Sequence, residues 1–333
     1  MLILAFESSC DETSVSVVEN GTKILCNLIQ SQVLMHNKTG GIVPEVAARE
    51  HLKIISQLTD QALNVAGVQI ESIDYIAATI GPGLPGALMV GFSYARSMAF
   101  ATKKPFIPVD HIEGHIYANW LEGNMPILPA VALVVSGGHT ELIYMDSASN
   151  FKRIGGTRDD AAGEAFDKVS RMLGAGYPGG PAIAALANEA KKFDIELPRA
   201  WLPGTHDFSF SGLKTAVLNL KNKFPNLPVE EIAWSFQESV VDVLISKTIT
   251  LLNELNVQSV LLAGGVASNS RLREVAKTKI KIPVFIPSPK LCTDNAAMIA
   301  AAAFRHKDDF IDPCSLIDIY STMNRGDLLI DKN

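Results

Sequence analysis

The sequence predicts an α/β fold built twice over, as two lobes of similar design. Three observations predict it. An apolar run, a polar turn, a threonine and a second strand-like run occur over residues 2–18 and again over 131–145, an offset of about 130 residues that suits two domain-sized halves. Each half also carries a strand-like run that turns through glycines toward a helical pattern, at Gly81–Gly86 and at Gly264–Gly265. With 333 residues, 47% hydrophobic and 19% charged, the chain has apolar material for a sizeable core and too little polarity for disorder.

In chain order, residues 2–6 read as a buried strand, 13–18 as an alternating second strand and 23–30 as a third. A helical pattern over 44–66 opens on Pro44, whose fixed φ suits the first turn. A strand over 74–80, the glycine turn, a helix over 87–102 and a short strand over 106–109 lead to the segment Val109-Asp110-His111-Ile112-Glu113-Gly114-His115, which reads as helix. The second half repeats the opening with strands at 131–135 and 140–145 around Ser136-Gly137-Gly138-His139. Helices follow at 161–174, 181–192 and 228–254, then a strand at 259–263, a helix from Ser270, a strand at 283–286 and a helix at 294–306. The first lobe is expected over 1–128, with the two-histidine helix, and the second over 129–333, with a basic insert near 191–225.

No apolar run has the length of a membrane span, and the cysteines Cys10, Cys26, Cys292 and Cys314 lie far apart without a CxxC pair, as in a reduced cytoplasmic protein. A net charge of −6 argues against indiscriminate nucleic-acid binding, though not against a local basic face. In the insert, Lys214 and Lys221 stand among other cations and the aromatics Trp201, Phe208 and Phe210. That is a pattern for holding RNA by phosphates and stacking, or for a plain solvated surface.

His111 and His115 are four apart, so a helix puts both imidazoles on one face. The spacing resembles a metalloprotease helix, but the general-base glutamate would fall at Ile112. The pair reads as two surface histidines or as two ligands awaiting a third. Asp294 reads as a helix cap or as that third ligand, and two histidines with a carboxylate favour Fe(II), with Zn²⁺ as the alternative. Ser136-Gly137-Gly138 suits an anion, because glycines let backbone N–H groups approach it. Asp11 and Glu12 occupy the equivalent first-half turn. Gly264-Gly265 ends a strand where open α/β sheets bind ligands, with Asn269 poised to bond a ribose or an amino-acid group.

The segments ESSCDETSVSVV, GPGLPGALMVG, VDHIEGH, LVVSGGHTEL, DDAAGEAFDKVSRMLG, YPGGP, FSFSGLKTAV, AGGVASNSRLR and CTDNAAMIA run in order along nearly the whole chain. Together they resemble the bacterial tRNA N6-adenosine threonylcarbamoyltransferase family (TsaD), once called glycoproteases. The resemblance implies a duplicated two-lobe actin/Hsp70/sugar-kinase fold with a nucleotide cleft between the lobes. It implies an acyltransferase that moves threonylcarbamoyl from its adenylate to N6 of adenosine 37 in tRNAs reading ANN codons. It also implies a divalent metal, generally iron, on His111, His115 and Asp294. Val134, Val135, Ser136, Gly137, Gly138, Asp167, Gly180 and Asn269 would line the acyl-adenylate site, and Asp11 and Glu12 match acids near the phosphates and metal. The implied partners are tRNA, a smaller metal-free paralogue (TsaB) and an ATPase (TsaE). Val134 departs from the tyrosine of archaeal relatives, which leaves the fourth metal position to solvent or substrate. The alternative activity is an ATP-dependent kinase or ATPase of the same fold.

Overall fold

The computed structural model describes residues 1–39, 41–147 and 150–321. The chain forms two compact units, Met1–Met125 with the described residues from Thr293 onward, and Pro126–Cys292. The chain passes from the first unit to the second at 125/126 and returns at 292/293, so that the last helix belongs to the first unit. Residues 322–333, the end of the range expected for the second lobe, lie outside the described residues.

The first unit holds a sheet in the order β3-β2-β1-β4-β5, from β1 (Leu2–Glu7), β2 (Glu12–Glu19), β3 (Lys23–Ser31), β4 (Tyr75–Gly81) and β5 (Phe106–Asp110). β1 pairs antiparallel with β2, from Leu2 opposite Glu19 to Glu7 opposite Ser14, and parallel with β4. The short helix α1 (Val33–Thr39) follows β3, and α2 (Pro44–Ala66) and α3 (Pro85–Thr102) cover one face. There Leu4, Phe6, Val15 and Val17 meet Ile55, Leu58, Phe92 and Ala95 in one core. Alternation turns Ile3 and Ala5 to the other face. Helix α11 (Ala296–Arg305) packs against β1 and β2 and against α4 (His111–Tyr117). Its run of small residues, AAMIAAAAFR, allows that close approach.

The second unit repeats the plan. Its sheet runs β10-β9-β6-β7-β8, from β6 (Ala130–Val135), β7 (Thr140–Ser147), β8 (Asn150–Gly156), β9 (Ser259–Ala263) and β10 (Val284–Phe285). Read from β8, this is the first sheet's order with each strand replaced by its later counterpart. Both opening hairpins use four-residue connections, residues 8–11 and 136–139. The helices are α5 (Ala162–Leu173), α6 (Gly179–Asn188), α7 (Ser211–Lys223), α8 (Val229–Glu254), α9 (Ser270–Lys279) and the short α10 (Pro289–Cys292). Val131, Leu133 and Val135 face a core with Phe166, Phe236, Val240 and Leu244. The duplication read from sequence is thus present strand for strand. Helix α7 and strand β8 are elements that sequence reasoning left out. The expected insert near 191–225 begins as an irregular segment and ends in α7.

Candidate metal centre

Helix α4 starts abruptly at the end of β5. Asp110 caps it, its Oδ1 accepting from the N–H groups of Ile112 at 2.8 Å and Glu113 at 2.9 Å. This cap places His111 in the first turn and His115 one turn later on the same face, their rings 4.6 Å apart between centroids. Asp294 comes from the turn before α11. The cap of α11 is Asn295, whose side-chain oxygen accepts from the Met298 N–H at 3.1 Å, so the cap expected of Asp294 is made by its neighbour. Asp294 Oδ1 lies 3.5 Å from His111 Nε2 and 3.2 Å from His115 Nε2. Ligand atoms of all three residues lie within 4.8 Å of one another.

These residues fit a metal. His115 is fully buried, and neither of its ring nitrogens has a hydrogen-bond partner. Burial lowers its pKa against the pull of Asp294, so the ring is neutral and offers a lone pair. Nδ1 has no hydrogen-bond partner and Nε2 meets only the Asp294 carboxylate, a costly burial unless something accepts that lone pair. Two imidazole nitrogens and one carboxylate oxygen form a donor set suited to a divalent transition metal.

Behind His111 stands Glu7, the last residue of β1, whose side chain is wholly buried. Its Oε2 sits 3.0 Å from His111 Nδ1 and accepts from the Thr79 hydroxyl at 2.6 Å, while Oε1 accepts from the Ser9 N–H at 2.5 Å. Burial works to raise the Glu7 pKa, but His111 outweighs it and holds the carboxyl below its ordinary value. For His111 burial works downward, and Glu7 and Asp294 together raise it to about 9. A carboxylate on Nδ1–H keeps that proton in place and leaves Nε2 toward Asp294 as the nitrogen whose proton a metal would displace, the usual way a metal-binding histidine is oriented.

The structure puts the other expected residues as follows. Asp11 is buried and its Oδ2 has no hydrogen-bond partner. Glu12 accepts from the Ser31 hydroxyl at 3.0 Å, and its pKa is pushed up to about 10 by burial, then by the charges of Asp11 and Asp294. In the second unit the 136–139 turn closes on itself, Ser136 N–H to the His139 carbonyl at 2.8 Å and His139 N–H to Ser136 Oγ at 3.1 Å. Gly137 and Gly138 are exposed and border open space. Val134 and Val135 are wholly buried in β6, so the surface they can offer is the turn that follows. Asp167 Oδ1 accepts from the Gly179 N–H at 2.6 Å, beside Gly180. Gly264 has φ +87°, and a Cβ there would lie 2.4 Å from the Val135 carbonyl oxygen, so this turn needs glycine. Asn269 caps α9 by accepting from the Leu272 N–H at 3.0 Å and donates Nδ2–H to Gln237 Oε1 at 2.8 Å. Lys214 pairs with Asp160 at 3.3 Å, and Lys221 donates to the Met172 carbonyl.

The family model described as tRNA N6-adenosine threonylcarbamoyltransferase (TsaD) matches residues 23–301. A protein of that name from Dehalococcoides mccartyi is 51% identical over 91% of this chain and 93% of its own length. One from Staphylococcus carnosus is 53% identical over 90% of each. The chain belongs to the tRNA N6-adenosine threonylcarbamoyltransferase family. The crystal structure of HypF from T. kodakarensis superposes with a TM-score of 0.64 at 12% identity, covering 92% of this chain and 48% of HypF. The fold is thereby the actin-like one expected.

The sequence reading did not single out three residues that contact the expected site residues or adjoin them. Glu7 and Asn295 sit beside motif residues already singled out; the contact of Glu7 with His111 is tertiary, and Asn295 makes the local cap of α11. Gln237 lies on α8, far along the chain from Asn269. Its partner bond uses one Nδ2–H of Asn269 while the α9 cap occupies Oδ1, which leaves Asn269 one N–H to donate.

Proposed function

We propose that this chain transfers the threonylcarbamoyl group from L-threonylcarbamoyladenylate to N6 of adenosine 37 in tRNAs that read ANN codons, releasing AMP. Family membership at about half identity over nine-tenths of the chain is the observation that carries this reading. The bond formed joins N6 to the carbamoyl carbon. The bond broken is the C–O bond to the AMP phosphate, whose electron pair leaves with the phosphate, and one N6 proton is lost. The N6 lone pair is delocalised into the purine, so the nucleophile is weak and the rate must come from a good leaving group and from orientation.

The chain's own groups suit those tasks. The Gly137–Gly138 turn would offer backbone N–H groups to the adenylate, and Asp167, held by the Gly179 N–H, would stand beside them. Asn269, with one N–H left, would meet the nucleoside as a donor. Glu12, its carboxyl pushed up by burial and by the charges of Asp11 and Asp294, would stand beside Asp11 at the phosphates. His111, His115 and Asp294 would hold one divalent metal, Fe²⁺ in first place and Zn²⁺ second, which supplies Lewis-acid stabilisation of negative charge when bound. Glu7 keeps His111 in the ligating tautomer. Lys214 and Lys221 would turn their remaining ammonium N–H groups to tRNA phosphates; charge reversal at both is expected to weaken tRNA binding more at low salt than at high salt. Unchanged binding at both salt concentrations would rule them out.

A smaller metal-free paralogue and a separate ATPase belong to the same reading as partners. The test is to supply threonylcarbamoyladenylate and unmodified tRNA, with and without those partners. The expected products are modified adenosine and AMP in equal amounts. Phosphorylation of a small molecule without modified adenosine would instead return the ATP-dependent kinase, which the names of the relatives do not favour.

A further inference from the structure

The described chain ends as a strap laid over the first unit. Ile311 exchanges backbone hydrogen bonds with Phe106 of β5, its N–H donating at 2.8 Å and its carbonyl accepting at 3.3 Å. Arg96 of α3 donates to the carbonyls of Pro313 and Ser315, each at 2.5 Å. Ile317 and Ile319 pack against the core of this unit. The Tyr320 N–H then donates to the Ile80 carbonyl at 2.9 Å, and the Ser321 carbonyl accepts from Gly83 at 3.3 Å. The seat is shaped for this residue. At Gly81, φ +146°, a Cβ would lie 2.2 Å from the Tyr320 carbonyl oxygen and 2.5 Å from its ring.

The Tyr320 side chain reaches the start of the helix that carries the two histidines. The Tyr320 hydroxyl donates to Asp110 Oδ2 at 2.7 Å, while Oδ1 of the same carboxylate caps α4 through Ile112 and Glu113. One carboxylate thus joins the strap to the first turn of the helix that carries His111 and His115. We propose that the strap is a clamp on the metal centre. Tyr320 holds Asp110, Asp110 fixes the first turn of α4, and that turn aims both imidazoles at Asp294. Strap docking and metal binding are therefore coupled, and each strengthens the other by the same factor. The inference rests on the reading that His111, His115 and Asp294 bind a metal.

Tyr320→Phe keeps the ring in its seat and the backbone bond to Ile80, and removes only the hydroxyl. In the full chain, titrated with Co²⁺, it is expected to bind metal about 5-fold or more weakly than wild type. In an Asp110→Ala background the same change is expected to have no further effect, since the link is already cut. In the wild type, amide exchange at Ile311 and Tyr320 is expected to slow when Co²⁺ is added. That measurement needs no variant to fold. Equal Co²⁺ affinity for wild type and Tyr320→Phe, with exchange at both amides indifferent to metal, would overturn the clamp while leaving the metal site standing. A wild type that takes up no Co²⁺ would remove the metal site, and the clamp with it.

Discussion

A His115→Leu chain is expected to lose its metal and yet, metal-free, to melt no lower than metal-free wild type. The ring is fully buried and neither nitrogen has a hydrogen-bond partner. Removing an unsatisfied buried polar group relieves about 1–3 kcal/mol. Leucine is similar in size, and imperfect shape returns about 1 kcal/mol of that. The lost contact of Nε2 with Asp294 Oδ1 at 3.2 Å offsets the remainder, so the net is near zero. With metal present the order inverts, because a ligand at about a thousand times its Kd stabilises the native state by about 4 kcal/mol. Transfer of the threonylcarbamoyl group is expected to fall about 10²–10³-fold, the scale on which lost charge stabilisation at a reacting centre is felt. Metal analysis and calorimetry with and without chelator check both halves. Stoichiometric metal in the variant would end the role of His115 as a ligand. A metal-free variant melting well below its parent would show that the ring is there for packing.

That opposition between stability and function explains which parts of the site were legible in the sequence. The histidine pair could be read because its geometry is local, one helical turn long. The two opening hairpins could be read because apolar run, polar turn and alternating strand repeat in order, and the structure repeats them with equal connections, 8–11 and 136–139. Asp294 needed family resemblance, since nothing local distinguishes a ligand from a cap; the cap of α11 is made by Asn295. Strand β8 was illegible because its sequence, NFKRIGG, is half polar and lies at a sheet edge, where alternation weakens. Helix α7 does carry a helical stripe in Leu213, Val217 and Leu220, but its lysines drew the reading toward a basic surface. Two of those lysines, Lys214 and Lys221, are held by Asp160 and by the Met172 carbonyl within the same unit. The return of α11 to the first unit is a matter of topology, and no local pattern encodes it.

Glu7 was the least legible of the site residues, and its replacement makes the sharper test of how His111 is held. The carboxylate takes donors on both oxygens: the Ser9 N–H on Oε1, and the Thr79 hydroxyl with His111 Nδ1 on Oε2. Glutamine has the same shape but one oxygen, so Glu7→Gln must choose. With its oxygen toward His111, its NH₂ meets the Ser9 N–H, two donors across a contact of 2.5 Å in the wild type. With its oxygen toward Ser9, its NH₂ meets His111 Nδ1, which must then accept, and the ring's proton moves to Nε2. That nitrogen faces Asp294 and is the one needed for metal. Neither orientation preserves the centre. Metal affinity is expected to fall about 10–100-fold, as it does when the partner behind a ligating histidine is lost. The chain should still fold, at a cost of about 1–3 kcal/mol for the mismatched donor. Glu7→Asp retracts the carboxylate by one methylene but keeps acceptor-only chemistry, so it is expected to recover part of the affinity. A metal titration of the three chains separates the explanations. If glutamine binds metal as tightly as glutamate, the carboxylate serves only to close the turn at Ser9. If aspartate outperforms glutamine, the charge and tautomer of the pair set the affinity, because shape alone would favour the amide.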